Sequence, residues 1–164
     1  PPSYSPSTGL FYFSAWENYA TIYRAEESEY IPGRAFLGGG FSVLAPSPGA
    51  PTIGIGRTSP INNWTNEVGF ASLKAMDPQT GEAVWSYNQF DVSDSGMLTT
   101  ASDLLFTGGR EGYFHGIDAQ SGELLWNVSL GGQIVMAPVT YMVNDVQYVA
   151  VISGNSLSVF ALEE

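Results

Sequence analysis

The stretch AMDPQTGEAVW, residues 75–85, returns 41 residues later as GIDAQSGELLW, residues 116–126. Asp77 recurs as Asp118, Gly81 as Gly122 and Trp85 as Trp126. In each copy an Asp and a Thr or Ser can hydrogen-bond the backbone of a turn, and a Gly supplies the positive φ that such a turn requires. The Trp four residues after the Gly offers a large apolar face. A glycine lets that face lie flat against a peptide plane, so one Trp per repeat can dock each repeat onto the next. Asp77, Asp118, Trp85 and Trp126 therefore read as scaffold, and the two carboxylates are not expected to be catalytic acids.

A second element repeats with the first. TTASDLLFTGG (99–109) lines up with TYMVNDVQYVAV (140–151), each a strand, a tight turn and a strand, and YSPSTGLFYFSA (4–15) is a looser third copy. Periods of about 40 residues built from four short strands mark propeller blades. Three hairpin copies predict parts of about three blades. The strands are expected at Leu10–Ala15, Gly69–Met76, Ala83–Tyr87, Met97–Ala101, Leu104–Thr107, Tyr113–Asp118, Leu124–Val128, Ile134–Tyr141, Gln147–Ile152 and Leu157–Leu162. Asn144-Asp145, between two apolar runs, suits a hairpin turn. No stretch reads as a convincing helix. The best candidate, Trp16 to Glu29, has poor apolar spacing.

Tyr12 and Phe106 stand 94 residues apart, 53 more than one repeat. The excess lies in a Gly- and Pro-rich segment holding LGGG (37–40), APSPGAP (45–51) and GIGRTSP (54–60). The expected organisation is a single partial propeller domain over 1–164. Residues 1–16 form a first blade hairpin, 17–67 a long insertion loop at a boundary between blades, and 68–164 two repeat blades. Loops of that length are functional or packed on neighbours.

Composition narrows the chemistry. Hydrophobic residues are 44% of the 164 and charged residues 13%, which suits a folded core. No apolar run reaches the ~18 residues of a membrane span. Five basic residues against 16 acidic ones give a net charge of −11, which disfavours nucleic acid and anionic membranes as partners. The absence of cysteine excludes disulfides, thiolate metal sites and cysteine nucleophiles. The opening PPSYSP has no Met and no signal-like segment, so the chain is expected to be a piece of a longer polypeptide.

Individual candidates are mostly bland. His115, the single histidine, sits on an expected strand, where a packed imidazole outweighs a base or ligand. Glu26, Glu27 and Glu29 lack Ca²⁺-loop spacing and read as a solvated face. NWT (63–65) and NVS (127–129) fit the glycosylation pattern by chance as easily as by design. GIGR (54–57) lacks the ending of a phosphate loop.

The repeated motif resembles the tryptophan-docking motif of the quinoprotein dehydrogenases, which use pyrroloquinoline quinone (PQQ). That pattern is Ala-x-Asp-x-x-Thr-Gly-x-x-x-Trp. Residues 75–85 match every fixed position, and 116–126 depart with Gly116 for Ala and Ser121 for Thr. The surrounding text, LTTASDLLFTGGREGYFHGIDAQSGELLW (98–126) and APVTYMVNDVQYVAVISG (137–154), resembles the C-terminal end of PQQ-dependent alcohol and methanol dehydrogenases. PSYSPSTGLFYFSAWE (2–17) looks like a segment a few blades earlier. WD-repeat propellers share the period, but their Gly-His…Trp-Asp pairing is missing.

The resemblance implies an all-β fold, a partial β-propeller of about three four-stranded blades from an eight-bladed quinoprotein propeller. It implies PQQ on the axis with Ca²⁺ beside it, an Asp base, a small alcohol substrate and hydride transfer to the quinone. It places the metal ligands and the base upstream of this chain and the parent protein in the periplasm. Two stretches remain as cofactor-binding candidates. Asp94, with Ser95 and Gly96 next, fills the slot where methanol dehydrogenases carry a PQQ-contacting Trp. Asn155 and Ser156 fill a turn that is Gly-rich in those enzymes. No catalytic or metal-ligating residue is assigned in this chain. The expected partners are the remaining blades or a companion fragment, with self-association and catalytic silence of the isolated chain. The alternative is a non-catalytic quinoprotein-like propeller serving as a binding or assembly scaffold, as in outer-membrane assembly lipoproteins.

Overall fold

The computed structural model describes residues 1–17, 20–36, 38–44, 70–89 and 93–161. Among them the chain forms thirteen strands and no helix. They are β1 (Ser3–Ser5), β2 (Leu10–Glu17), β3 (Ala20–Ala25), β4 (Gly39–Leu44), β5 (Phe70–Met76), β6 (Ala83–Gln89), β7 (Leu98–Thr99), β8 (Leu104–Gly108), β9 (Tyr113–Asp118), β10 (Leu124–Ser129), β11 (Val139–Val143), β12 (Val146–Ser153) and β13 (Ser156–Ala161). The first sheet runs β1-β2-β5-β6, the second β7-β8-β9-β10, and the third, with three strands, β11-β12-β13. The observed pairings are antiparallel.

The hairpin expected at Asn144-Asp145 is present. Val143 pairs with Val146 across a two-residue turn whose φ values are 50° and 65°. Positive φ at both central positions matches the right-handed strand twist, and Asn and Asp tolerate it best after Gly. The equivalent turn of the second sheet places Asp103 at φ 59°.

The long segment falls elsewhere than the sequence suggests. β2 and β5 are neighbours in one sheet, so residues 17–67 interrupt the first sheet between its second and third strands and do not separate two blades. Strands β5 and β6 accordingly complete the first sheet, and 68–164 holds half of that sheet with the two that follow. The segment is also not a plain loop. Glu17–Gly69 forms its own compact unit, in which β3 and β4 pair from Ala20↔Leu44 to Ala25↔Gly39. In the same unit Tyr30 and Phe36 meet edge to face at 5.8 Å, and Glu26, Glu27 and Glu29 are exposed. The glycosylation-like NWT and the GIGR stretch lie outside the described residues.

Two turns of one design close the third and fourth strands of the first two sheets. Gly81 N donates to Asp77 O (2.8 Å) and Gly122 N to Asp118 O (2.9 Å). The Asp77 carboxylate accepts from Gln79 N, and that of Asp118 from Gln120 N and Ser121 N. The Ser121 amide and hydroxyl hold the Asp118 carboxyl below the usual carboxylate range, desolvation opposes them weakly, and the Gln120 amide adds to their effect. Each following strand then carries a bulge at the same repeat position, beside Val84 in β6 and Leu125 in β10. A bulge bends its strand and raises the local twist, which re-aims the side chain beside it.

That side chain is the Trp. The Trp85 ring lies on Gly122, where a Cβ would come within 2.7 Å of it, and its Nε1 donates to Ala119 O at 3.0 Å. Tyr12 OH donates to the same carbonyl at 2.9 Å, and its ring meets Trp85 at 5.8 Å. Around this contact the first two sheets bury Tyr12, Leu73, Ala75, Met97, Leu105, Ile117 and Ala119. A second cluster of Phe114, Ile134, Val149 and Val151 joins the second and third sheets, with Phe106 and Phe160 packed against it. Trp126, itself exposed, meets Phe114 and Phe160 edge to face.

Gly81 and Gly122 give a controlled comparison. Their φ values are +75° and +78°, but a Cβ on Gly81 meets nothing within 4 Å. Both alanine substitutions incur the left-handed penalty of ~1–2 kcal/mol. Gly122→Ala must also displace Trp85, an overpacking cost of about 1–3 kcal/mol. Urea unfolding is expected to show a loss for Gly122→Ala that exceeds that of Gly81→Ala by this second amount. Equal losses would mean that the Trp85 contact carries no weight.

Candidate functional site

Strand alternation sorts the connections onto two ends. The 100–103 and 118–122 turns share one end with residues 5–9. Ala119 N donates there to Asp103 O at 2.8 Å, and the Asp103 carboxylate accepts from Ser7 Oγ and Gln120 Nε2. Residues 1–2, 93–97, 109–112, 130–138 and 153–156 gather at the other end. Met97 N donates to Pro1 O (3.1 Å), Ile134 N to Gly109 O (3.0 Å) and Gly154 N to Gln133 O (2.8 Å). The first strands β1 and β7 also meet, with Ser3 Oγ and Thr99 Oγ1 2.7 Å apart. Both stretches of cofactor candidates lie at this second end, opposite the Trp85 contact.

The candidates differ sharply in what they offer a ligand. Gly96 is buried, and a Cβ on it would come within 2.5 Å of both Ala137 Cβ and Pro1 Cδ. It is a close-approach glycine between two chain segments and leaves no room for a third body. Ser95 is 4% exposed. Its hydroxyl donates towards Gly96 O and Met136 O and accepts from Gly108 N at 3.2 Å, so its bonding capacity is spent within the fold. Asn155 and Ser156 are exposed at the turn where Ser153 pairs with Ser156. No hydrogen bond in the described residues ties them to 94–96, so the structure places the two stretches on one end without joining them into one constellation.

Asp94 differs. Its carboxylate takes the Arg110 Nη2 hydrogen bond at 2.5 Å, and the Arg110 side chain is 5% exposed against 34% for Asp94. Arg110 stands in the β8–β9 turn and is a residue that the repeat pattern did not single out. The signal was there in retrospect: a cation between glycines in GGREG, in a chain with five basic residues. Beside Asp94 opens a cleft of about 410 Å³ lined by Pro1, Pro2, Phe11, Phe13, Ser14, Ser93, Asp94 and Ser95. Phe11 and Phe13 form one wall, their rings 5.9 Å apart.

These residues do not by themselves fit a quinone that carries carboxylates. The Ser95 hydroxyl is committed, Gly96 is covered, and the polar group that Asp94 shows to the cleft is itself an anion. No group of three or more His, Cys, Asp or Glu side chains able to hold a metal occurs among the described residues. No helix there is long and apolar enough to cross a membrane.

His115 is packed as expected. It is 8% exposed on β9, with Tyr87 edge-on at 5.9 Å and Tyr113 stacked at 6.2 Å, and its buried Nδ1 has no hydrogen-bond partner. Burial lowers its pKa below the usual imidazole value. As pH falls, the unfolded chain therefore takes up the proton first. Stability is full above about pH 6.5, declines as pH drops below that value and levels off once the folded-state value is passed. Thermal unfolding at pH 7.5 and 5.5 is expected to show this loss in the native chain and a smaller one in His115→Phe. Parallel losses in both would remove His115 as the cause.

Residues 69–164 match the protein family described as outer membrane protein assembly factor BamB. Over 154 residues the chain is 36% identical to the quinoprotein ethanol dehydrogenase of Pseudomonas aeruginosa, a match covering 94% of this chain and 22% of that protein. It is 35% identical to the 1-butanol dehydrogenase (quinone) of Thauera butanivorans, over 94% of this chain and 21% of that one. The solved structure of a europium-containing methanol dehydrogenase matches with a TM-score of 0.67 at 28% identity, over 92% of this chain and 23% of that one. The chain thus spans about a fifth of the length of the curated relatives it matches.

Proposed function

The chain belongs to the family described as outer membrane protein assembly factor BamB, and from that membership and its dehydrogenase relatives we propose that it forms part of the propeller of a PQQ-dependent alcohol dehydrogenase. The observation that carries this reading is the 36% identity to a quinoprotein ethanol dehydrogenase over 94% of the chain. When bound, PQQ supplies a hydride acceptor for the carbon of a small alcohol. The metal is Ca²⁺, or a lanthanide as in the europium-containing relative. The base and the metal ligands belong to parts of the protein other than the residues described here, and the parent is periplasmic.

This chain's own work is mainly architectural. We read Trp85 on Gly122 as a tryptophan-docking contact that fixes one blade against the next. Ser95, on the cleft wall, and Gly96, covered by Ala137 and Pro1, hold the chain segments together at this end of the sheets. Asn155 and Ser156, exposed on the same end with free polar groups, are the better candidates for touching the cofactor. Asp94 suits a hydrogen-bond donor and not a carboxylate of the quinone.

The third sheet supports a need for further blades. One of its faces carries Val139, Tyr141, Ile152, Leu157 and Val159, exposed between 41% and 67%. Their register puts them on the face opposite Val149 and Val151, which pack on the second sheet. Apolar surface of this kind seeks cover. The occupant we assign is another blade of the same protein. In its absence, a companion fragment or a second copy takes that place.

The scaffold alternative draws on the family description, that of an assembly factor. Reconstitution separates the two readings. The protein containing this chain, loaded with PQQ and Ca²⁺ or a lanthanide, is expected to reduce an artificial dye with a primary alcohol as donor. The 164-residue chain alone is expected to be inactive and, in light scattering, larger than a monomer. A loaded parent that neither binds PQQ nor oxidises alcohol would favour the scaffold. A monodisperse monomer would remove the proposed association.

A further inference from the structure

We propose that the cleft beside Asp94 binds a small apolar molecule bearing a hydrogen-bond donor, foremost a protonated amine, with the Asp94 carboxylate as acceptor and Arg110 as the residue that positions it. The inference rests on this chain's geometry and not on the dehydrogenase reading. It concerns a bound ligand and requires neither cofactor nor metal.

Hydrogen-bonding capacity left open at the cleft decides which ligand fits it. Ser93 Oγ donates to Gly108 O at 3.0 Å and accepts from Ser95 N at 3.2 Å. Ser93 O accepts from Trp16 Nε1 at 3.3 Å. Ser95 Oγ is saturated as described above. Of the polar side chains lining the cleft, two retain capacity. Ser14 Oγ is buried without a partner. The Asp94 carboxylate has roughly four lone-pair sites, and one described hydrogen bond, from Arg110, fills one of them. Ser14 Oγ can donate or accept and so selects for neither kind of ligand, whereas the Asp94 carboxylate, the one charged side chain on the wall, can only accept, so a ligand that engages it must donate.

Arg110 gives that carboxylate a fixed direction. A guanidinium is always charged and cannot release a proton to relieve its burial. Its Nε has no described acceptor, so Asp94 is the charge partner that makes burial of Arg110 tolerable. Because the guanidinium lies behind Asp94 and does not line the cleft, an incoming anion meets a carboxylate and no free cation. Phe11 and Phe13 supply ring faces of the kind that attract ammonium groups. The chain's net charge of −11 favours a cation over an anion at long range. The cleft volume falls within the range of about 300–1,000 Å³ seen for small-molecule sites and suits a one-ring ligand.

Three probes of one shape test the idea on the 164-residue chain: benzylammonium, benzyl alcohol and benzoate. Amide chemical shifts of Ser95 and Gly96 report occupancy. Benzylammonium is expected to bind most tightly, benzyl alcohol about tenfold more weakly, and benzoate not at all. Asp94→Asn preserves shape and is expected to weaken benzylammonium at least tenfold while changing benzyl alcohol by less than threefold. Arg110→Met, which leaves the carboxylate charged but no longer held in one direction, is expected to lower the affinity for benzyl alcohol while leaving benzylammonium the tighter of the two, and Arg110→Lys to restore part of the alcohol affinity, which a purely structural arginine would not do. Binding of benzoate as tight as that of benzylammonium, an unchanged benzylammonium affinity in Asp94→Asn, or no shift at Ser95 and Gly96 with any probe would overturn the proposal. Should either variant fail to fold, the ranking of the three probes on the unaltered chain decides by itself, and benzoate binding as tightly as benzylammonium overturns the proposal.

Discussion

Two sheets hold their places here because one indole ring lies on one glycine. The Trp85 face covers Gly122, and Ala119 O receives hydrogen bonds from both Trp85 and Tyr12. No disulfide ties one sheet to the other, since the chain lacks cysteine. The interface must therefore be specified by shape. An indole over a bare backbone can sit in few ways, and the shared carbonyl fixes which one. Tyr12, Leu73, Leu105 and Ile117 then supply the buried apolar area around that anchor.

The same contact explains what else must be conserved in geometry along the chain. The turn must present a glycine at positive φ, the Asp must cap the turn amides, and a bulge must swing the Trp outward. Gly81 and Gly122, Asp77 and Asp118, and the bulges beside Val84 and Leu125 all keep the 41-residue spacing. Building the sheets from one end leaves the opposite end free. There the entry segment 130–138 and the turns at 109–112 and 153–156 interlock through backbone hydrogen bonds, and 93–97 joins them through the Ser95 hydroxyl, leaving Asp94, Arg110 and the Phe11–Phe13 wall as chemical features.

The repeat made the architecture legible. The positions of Trp85 and Trp126, the Asn144-Asp145 turn and strands β8 to β10 follow from period and turn chemistry. What was hidden lacked a local signature. β1 is three residues behind two prolines, β3 lies inside the Ala- and Glu-rich stretch 16–29 that offered the best helix candidate, and β4 opens on two glycines, so none of the three carries a clear strand signature. Ile134 reads as the start of a strand because it is apolar, yet its amide goes to Gly109 O and its side chain to the second cluster, and the strand begins at Val139. The interruption of the first sheet was invisible because pairing of β2 with β5 is a non-local fact. The Asp94–Arg110 pair was missed for the same reason. Its members are 16 residues apart, on a loop and a turn that the fold alone brings together.

The interrupted sheet also sets an order of assembly. The second sheet is made of consecutive strands joined by short turns, so each pairing closes only a few residues of chain. Joining β2 to β5 must enclose residues 18–69. By loop-closure scaling that costs about 2 kcal/mol more entropy than a four-residue turn. Contacts of that span form late when nothing local supports them. The second sheet, with its Ala119–Gly122 turn already shaped, offers a template on which Tyr12 and Trp85 can meet. The first sheet is then completed against a preformed neighbour, and a chain emerging from its N-terminus must hold β1 and β2 unpaired with β5 until the sequence that follows them has folded.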